Sequence, residues 1–381
     1  MKKKVLGIIF SLVAGAAFGY LCGGIMVSVI KRNIAQQSSA GETIFLCGVF
    51  FVCLIAGFIF HIILHEIGHL LFGKLSGYDF VSFRIFNLMF IKENGKVVRK
   101  KFNIVGTGGQ CLMSPPEPVN GEFPYILYNL GGSFMNFILS GICYIFYRLL
   151  SESNPFCATM FALFAVIGLL SGLFNIIPLK IGGIANDGFN ALTLGKREKA
   201  RHAFWLQLCI SALITEGTRL RDMPAEWFDM PEDSDLNDVM IASIAVFRFS
   251  YLIDRHEFTA ARKLAEHLLI TADKMLEVHK NEMRCELLFL EIINECRKEE
   301  INCLYNRQLK NYINATRTYV SRQRLLYAYA RLVSHDAIEA EKALKQFNKS
   351  CNTYPQIGEI VGERELIDLI DSIAVKEFDL L

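Results

Sequence analysis

Two histidines four residues apart, with a glutamate directly after the first, stand in the stretch His65-Glu66-Ile67-Gly68-His69. On a helix, side chains four apart lie on one face, one turn above the other. Both imidazoles can therefore meet one metal ion. Glu66 then falls beside a water on that ion, and zinc lowers the pKa of such a water enough for a carboxylate to take its proton. The chemistry on offer is metal-assisted hydrolysis with a general base. The stretch also closes a long apolar run, where two imidazoles and a carboxylate are costly to bury without a use. His61 lies one turn earlier. Three ligands stacked along one straight helix converge poorly on a tetrahedral ion, so His61 is expected in the core or behind the ligands, with a ligand role as the alternative.

A catalytic zinc usually takes three protein ligands and keeps the fourth position open. The third is expected from another span. Asn175-Ile176-Ile177-Pro178, Gly182-Gly183 and Asn186-Asp187-Gly188 follow the last apolar run. Pro178 ends a helix. Irregular backbone at membrane depth is tolerated only where it is buried or lines a cavity. Asp187 is then a carboxylate at the mouth of a bundle. On these residues alone, an ordinary Asp-Gly turn is the competing reading.

Composition says what must hold these residues. Of 381 residues, 52% are hydrophobic, 30 of them Phe, and the mean hydropathy is +0.32. The apolar residues crowd into the part before residue 195. A hydrocarbon core takes about 20 apolar residues of helix to cross. The runs Val5 to Ile30, Thr43 to Leu64, Phe123 to Leu150 and Phe156 to Ile177 predict about four spans. A cleaved signal peptide is the alternative for the first, and its loss would leave the second span's orientation unchanged. Lys2, Lys3 and Lys4 precede the first span. Lys74, Arg84, Lys92, Lys96, Arg99, Lys100 and Lys101 lie between the second and third, against Lys31, Arg32 and Arg148 in the other loops. Positive residues favour the cytoplasmic side. Both termini and the loop from 73 to 122 are thus expected inside. Charge pattern and size together point to a bacterial plasma membrane.

Between the second and third spans, Phe80 to Ile91 is rich in aromatic and apolar residues, Asn94-Gly95 marks a tight turn, and Lys96 to Val105 returns. This predicts a β-hairpin. Gly106-Thr107-Gly108-Gly109-Gln110-Cys111 and Pro115-Pro116 follow. Clustered glycines let another backbone approach closely, with a flexible loop as the competing reading. The 11 cysteines include no C-x-x-C pair; Cys22, Cys47, Cys53 and Cys143 sit in apolar runs. Reduced thiols in a reducing compartment are expected. A net charge of +2 without a basic stripe argues against a nucleic-acid partner.

From residue 197 the pattern is helical. Asp222-Met223-Pro224 through Pro231-Glu232-Asp233 reads as a linker. Phe258-Thr259-Ala260-Ala261-Arg262-Lys263-Leu264 weakly echoes Ile338-Glu339-Ala340-Glu341-Lys342-Ala343-Leu344. Such an echo suits a tetratricopeptide-like solenoid, with a plain bundle as the alternative. The expected fold class is mainly α. It comprises a membrane helical bundle at 1–195 with a small β-hairpin insertion, a connecting helix and linker at 196–234, and a cytosolic helical domain at 235–381. That last domain would offer a groove to a protein partner or to a substrate's tail.

His65-Glu66-x-x-His69 on one span, with Asn175…Pro178…Asp187-Gly188 after a later one, resembles the site-2 protease family of intramembrane zinc metalloproteases. Gly131-Gly132-Ser133-Phe134-Met135-Asn136-Phe137 resembles that family's Gly-x-x-x-Asn segment. The resemblance covers residues 44–195. It implies that His65, His69 and Asp187 bind one zinc and that Glu66 activates water. It also implies that Asn136 and Asn175 shape the site or hold the substrate. The family usually has a shorter stretch between its Asn and its Asp-Gly; here Gly182-Gly183-Ile184-Ala185 are extra. No PDZ-like domain is evident between the spans.

The expected function is cleavage of a membrane-anchored protein or peptide precursor in the lipid bilayer. Gly108 and Gly109 would let the substrate lie as an added strand near the metal. The rival is a membrane-anchored adaptor with a structural or vestigial zinc site, against which the intact Glu66 argues. A transporter is disfavoured by few spans and no inverted repeat.

Overall fold

The computed structural model describes residues 2–35, 39–104, 107–181, 184–230, 235–273 and 275–379. Val105, Gly106, Gly182, Gly183 and the Pro231-Glu232-Asp233 part of the expected linker lie outside the described residues. The chain divides into two compact units: Met1–Phe80 with Gly108–Lys196, and Val81–Thr107 with Arg197–Leu381.

The first unit is built from long apolar helices. Helix α1 covers Lys2–Ala35 and α2 covers Ala40–Leu75. Ser39 starts α2 with a reciprocal cap: its Oγ accepts from the Glu42 N–H at 3.2 Å, and Glu42 accepts from the Ser39 N–H at 2.8 Å. Ser76 and Gly77, the latter at φ +83°, end the helix. Strand β1 (Asp79–Ile85) begins in this unit and continues into the other.

The second unit opens with a β-meander. Strands β2 (Leu88–Glu93) and β3 (Lys96–Lys101) pair antiparallel, and β2 pairs antiparallel with β1. The expected hairpin is thus three strands rather than two. The segment Phe80 to Ile91 folds back on itself at Phe86-Asn87, with Ile85 opposite Leu88. Phe86 takes φ +51°, unusual for an aromatic residue. The buried Arg84 holds it by donating to the Phe86 carbonyl at 2.6 Å. The second turn is the anticipated Asn94-Gly95, both at positive φ.

Strand β4 (Gly109–Ser114) returns to the first unit. Helices α3 (Tyr125–Leu150) and α4 (Pro155–Ile176) follow. Pro155 at the first turn and the Asn154 side chain, which accepts from the Cys157 N–H at 3.1 Å, start α4. The short pair β5 (Lys180–Ile181) and β6 (Ile184–Ala185) leads to α5 (Asp187–Thr193).

Among the described residues, three helices are long and apolar enough to cross a membrane. They are α2, α3 and α4, with mean hydropathies of 2.7, 1.4 and 2.2 over their most apolar windows. Helix α1 contributes the shorter apolar stretch Gly15–Lys31. Large apolar side chains point outward: Ile44 is 72% exposed and Ile145 57%. Polar side chains such as His61, Ser133 and Asn136 are buried between the helices. A water-soluble domain is arranged the other way round.

The rest of the second unit is helical: α6 (Glu198–Glu216), α7 (Val239–Asp254), α8 (Phe258–Thr271), α9 (Glu277–Ile293), α10 (Lys298–Leu304), α11 (Arg307–Ala315), α12 (Val320–Ala328), α13 (Ala337–Cys351) and α14 (Ile357–Asp379). One core joins these helices to the meander through Met89, Ile91 and Phe102. Phe102 stacks on Tyr319 at 5.8 Å between centroids and meets Tyr354 edge-on at 5.3 Å.

Candidate metal centre

His65, Glu66 and His69 lie on the last turns of α2. Asp187 is the first residue of α5. The fold brings the two imidazoles and this carboxylate together. His65 Nε2 is 3.0 Å from Asp187 Oδ2 and 3.1 Å from His69 Nε2, and His69 Nε2 is 3.4 Å from Asp187 Oδ2. Three donors bound to one tetrahedral zinc at about 2.0–2.1 Å stand about 3.3 Å apart. The observed triangle has that size, and two imidazole nitrogens with one carboxylate oxygen form a donor set suited to zinc.

Each ligand candidate is oriented from behind. The Tyr128 carbonyl lies 2.7 Å from His69 Nδ1. A carbonyl only accepts, so Nδ1 carries the proton and the lone pair of His69 sits on Nε2, toward Asp187. Tyr128 is itself fixed: its hydroxyl donates to the Cys111 carbonyl at 2.8 Å, and its ring stacks on Tyr78 at 4.7 Å.

Asp187 is set by Asn186. The Asn186 Oδ1 accepts from the Leu179 and Phe189 N–H groups, each at 3.0 Å. Its Nδ2 donates to the Phe174 and Ile177 carbonyls at 2.9 and 2.7 Å. All four bonds of one amide thus tie the end of α4 to the start of α5. Gly188 completes the joint. A Cβ there would lie 2.0 Å from the Ile176 carbonyl oxygen, so only glycine lets α5 pass this close.

Glu66 is buried beside the triangle, at 9% exposure. Gly109, at the start of β4, comes so close that a Cβ would be 2.5 Å from Glu66 Oε1. Gly108 lies over Ile62 instead, with 3.7 Å from an added Cβ to Cδ1. Asn136 reaches His65: one of its amide atoms is 3.3 Å from His65 Nδ1. Asn175 does not join the cluster in this way. Its Nδ2 donates to the Ser171 carbonyl one turn back on its own helix, at 3.1 Å. His61 also stays outside the triangle, with both ring nitrogens engaged elsewhere.

Several glycines have packing roles that the motifs do not assign. Gly132 lets His65 lie flat on α3, where a Cβ would be 2.4 Å from the ring. Gly68 and Gly131 let α2 and α3 touch backbone to backbone, with 2.3 Å from an added Cβ on Gly68 to the Gly131 oxygen. Gly168 does for His61 what Gly132 does for His65. Gly131-Gly132 and Gly168 were visible as glycines inside apolar runs, which is the usual signal of close helix packing. The four-bond role of Asn186 had no such signal.

Residues 53–158 match the family model described as Peptidase family M50, the site-2 protease family. The resemblance drawn from the motifs holds over that stretch. No curated protein and no solved structure matches the chain.

Proposed function

We propose, on the premise of the match to peptidase family M50, that the protein is an integral membrane zinc metalloprotease that cuts a membrane-anchored protein or peptide precursor. The observation that carries this reading is the triangle of His65, His69 and Asp187, with Glu66 beside it. Zinc held by those three residues would polarise a peptide carbonyl and supply a water acid enough to ionise near neutral pH. Glu66 takes the proton from water and returns it to the departing amine. The Tyr128 carbonyl holds His69 in the tautomer that leaves Nε2 free. Gly109 lets β4 lie directly against Glu66, and a substrate laid along β4 as an added strand would present an extended peptide bond there.

Depth follows from helix geometry. His69 and His65 precede the end of α2 by about 9 and 15 Å at 1.5 Å per residue. With the α2 C-terminus at the cytoplasmic face, the site lies inside one leaflet of a hydrocarbon core about 30 Å thick. The charge pattern supports that orientation, with both termini on the cytoplasmic side of a bacterial plasma membrane and α1 as a fourth span. The C-terminal helices, in this view a stacked solenoid, bind a cytosolic partner or the substrate's tail. A cavity of about 380 Å³ lined by Phe247, Val278, His279, Glu282, Glu359 and Glu363 supports that role.

The test is zinc content and cleavage in the detergent-purified protein. One zinc per chain is expected, lost in His65→Ala and Asp187→Ala. Glu66→Gln should keep the zinc and lose turnover. Turnover retained by Glu66→Gln would refute the mechanism. A deletion phenotype rescued by that same variant would favour an adaptor.

A further inference from the structure

His61, Asn136 and His65 form a line of polar groups inside the apolar bundle, from α4 to the metal triangle. His61 Nε2 lies 2.9 Å from the Phe164 carbonyl oxygen. The Asn136 Oδ1 is placed 3.3 Å from His61 Nδ1 and its Nδ2 3.3 Å from His65 Nδ1, an amide whose oxygen and nitrogen are interchangeable by a half-turn. His61 and Asn136 are each only 1% exposed. In such a place, a polar group left without a hydrogen-bond partner is strongly disfavoured.

The Phe164 carbonyl can only accept, and this sets the direction of the whole line. His61 Nε2 must carry the proton. A neutral His61 then has a bare Nδ1, which needs a donor. Asn136 supplies it by turning its NH2 toward His61; a half-turn of an amide exchanges its oxygen and nitrogen without moving its neighbours. The amide oxygen is left facing His65 Nδ1, so that nitrogen must carry a proton and donate. The lone pair of His65 therefore sits on Nε2, the atom that faces Asp187 and His69. The opposite amide orientation demands a bare His65 Nδ1, which puts the proton on the metal-facing atom, and two protons on a buried His61.

We propose that His61 and Asn136 are positioning residues that hold His65 in the tautomer able to bind metal, with the Phe164 carbonyl as the fixed end of the line. The inference rests on the reading of His65 as a zinc ligand. Packing supports it independently. Gly132 and Gly168 are each shaped around one of the two rings: added Cβ atoms would lie 2.4 Å from His65 Cε1 and 2.3 Å from His61 Cε1. Neither ring can swing away to find another partner. His61 is thereby excluded as a ligand, since both of its nitrogens are spoken for within the line.

The experiment is zinc affinity of the full-length protein in detergent, by competition with a chromophoric chelator at fixed pH. Asn136→Leu keeps the volume and removes both bonds; affinity should fall about 10–100-fold. Asn136→Asp still accepts from His65 Nδ1–H and should stay within a few-fold of wild type. His61→Phe frees the amide of Asn136 to turn the wrong way, so it should weaken zinc in the parent. In the Asn136→Asp background it should cost nothing further, because a carboxylate has no wrong orientation. Equal losses with Leu and Asp at 136, or the same His61→Phe cost in both backgrounds, would mean packing alone and overturn the proposal. Unchanged affinity in Asn136→Leu would also overturn it while leaving the zinc centre intact. A wild type that binds no zinc would overturn the metal reading itself and this inference with it.

Discussion

Gly132→Ala tests the centre through a single methyl group. The added Cβ would lie 2.4 Å from His65 Cε1 and 2.5 Å from both ring nitrogens. Carbon contacts become comfortable at about 3.5 Å, so the ring must retreat by about 1 Å. The His65 ring is boxed in by Asn136 on Nδ1 and by His69 and Asp187 on Nε2. Moving α3 outward instead would open the Gly68–Gly131 contact and carry Asn136 away with it. A misplacement of about 1 Å in a reacting constellation costs about 100-fold. Zinc affinity and cleavage in Gly132→Ala should therefore fall by about two orders of magnitude. The control is Gly141→Ala on the same helix, where an added Cβ meets nothing within 4 Å. That variant should keep its zinc and gain up to about 1 kcal/mol of helix stability. The assay is chelator competition in detergent beside thermal unfolding. If Gly132→Ala held zinc as tightly as wild type and Gly141→Ala, the claim that Gly132 seats a ligand would be wrong.

Other substitutions probe the supports. Asn186→Ala removes the bonds to the Leu179 and Phe189 N–H groups and to the Phe174 and Ile177 carbonyls. At about 1 kcal/mol for each half-buried hydrogen bond lost, it should lower the melting temperature and release zinc at milder chelator concentrations. In the second unit, Arg324 is fully buried and donates to Glu286 at 2.6 and 2.7 Å and to Glu363 at 2.6 Å. Arg324→Met should destabilise that unit by about 3–5 kcal/mol in denaturant titration, because Glu363 loses this guanidinium and Glu286 is left with Arg322 at 3.9 Å. Glu359 gives a pH dependence. Burial pushes its carboxyl up to about 8, with the charges of Glu363, Glu282 and Glu286 adding to the rise and the Tyr354 hydroxyl opposing it. Its folded value exceeds its ordinary one near 4.5, so its contribution is full below that value and fades as pH rises through 8. Glu359→Gln should flatten the loss of stability between pH 5 and 8 seen by thermal unfolding, and an unchanged slope would assign that loss to other groups.

The parts of the centre that were legible in the sequence are those fixed by local periodicity. His65, Glu66 and His69 are placed by one helix, so their spacing alone puts them on one face. Asp187 was legible only through resemblance, because its position depends on the chain turning back after α4. That turn is made by the amide of Asn186 and the missing side chain of Gly188, neither of which leaves a periodic trace. The meander shows the opposite failure. Phe80 to Ile91 has the composition of one strand, and the fold breaks it at Phe86, a residue that no turn preference favours. The reason is the buried Arg84, whose need for acceptors outweighs the local cost of a positive φ. Such costs are settled by tertiary contacts and cannot be read from neighbours in the chain.

An apolar bundle gains nothing in stability from His61, Asn136, His65 and His69, since hydrophobic side chains of equal volume would pack as well without desolvation cost. Three glycines, Gly68, Gly132 and Gly168, each give up helix propensity to admit backbone or an imidazole. A structural zinc site would account for ligands and their supports. It would not account for Glu66, buried beside the triangle, nor for a strand that begins with glycine against that carboxylate. Those two features set a carboxylate beside the triangle with a strand against it, which a general base for hydrolysis would use and a purely structural metal would not.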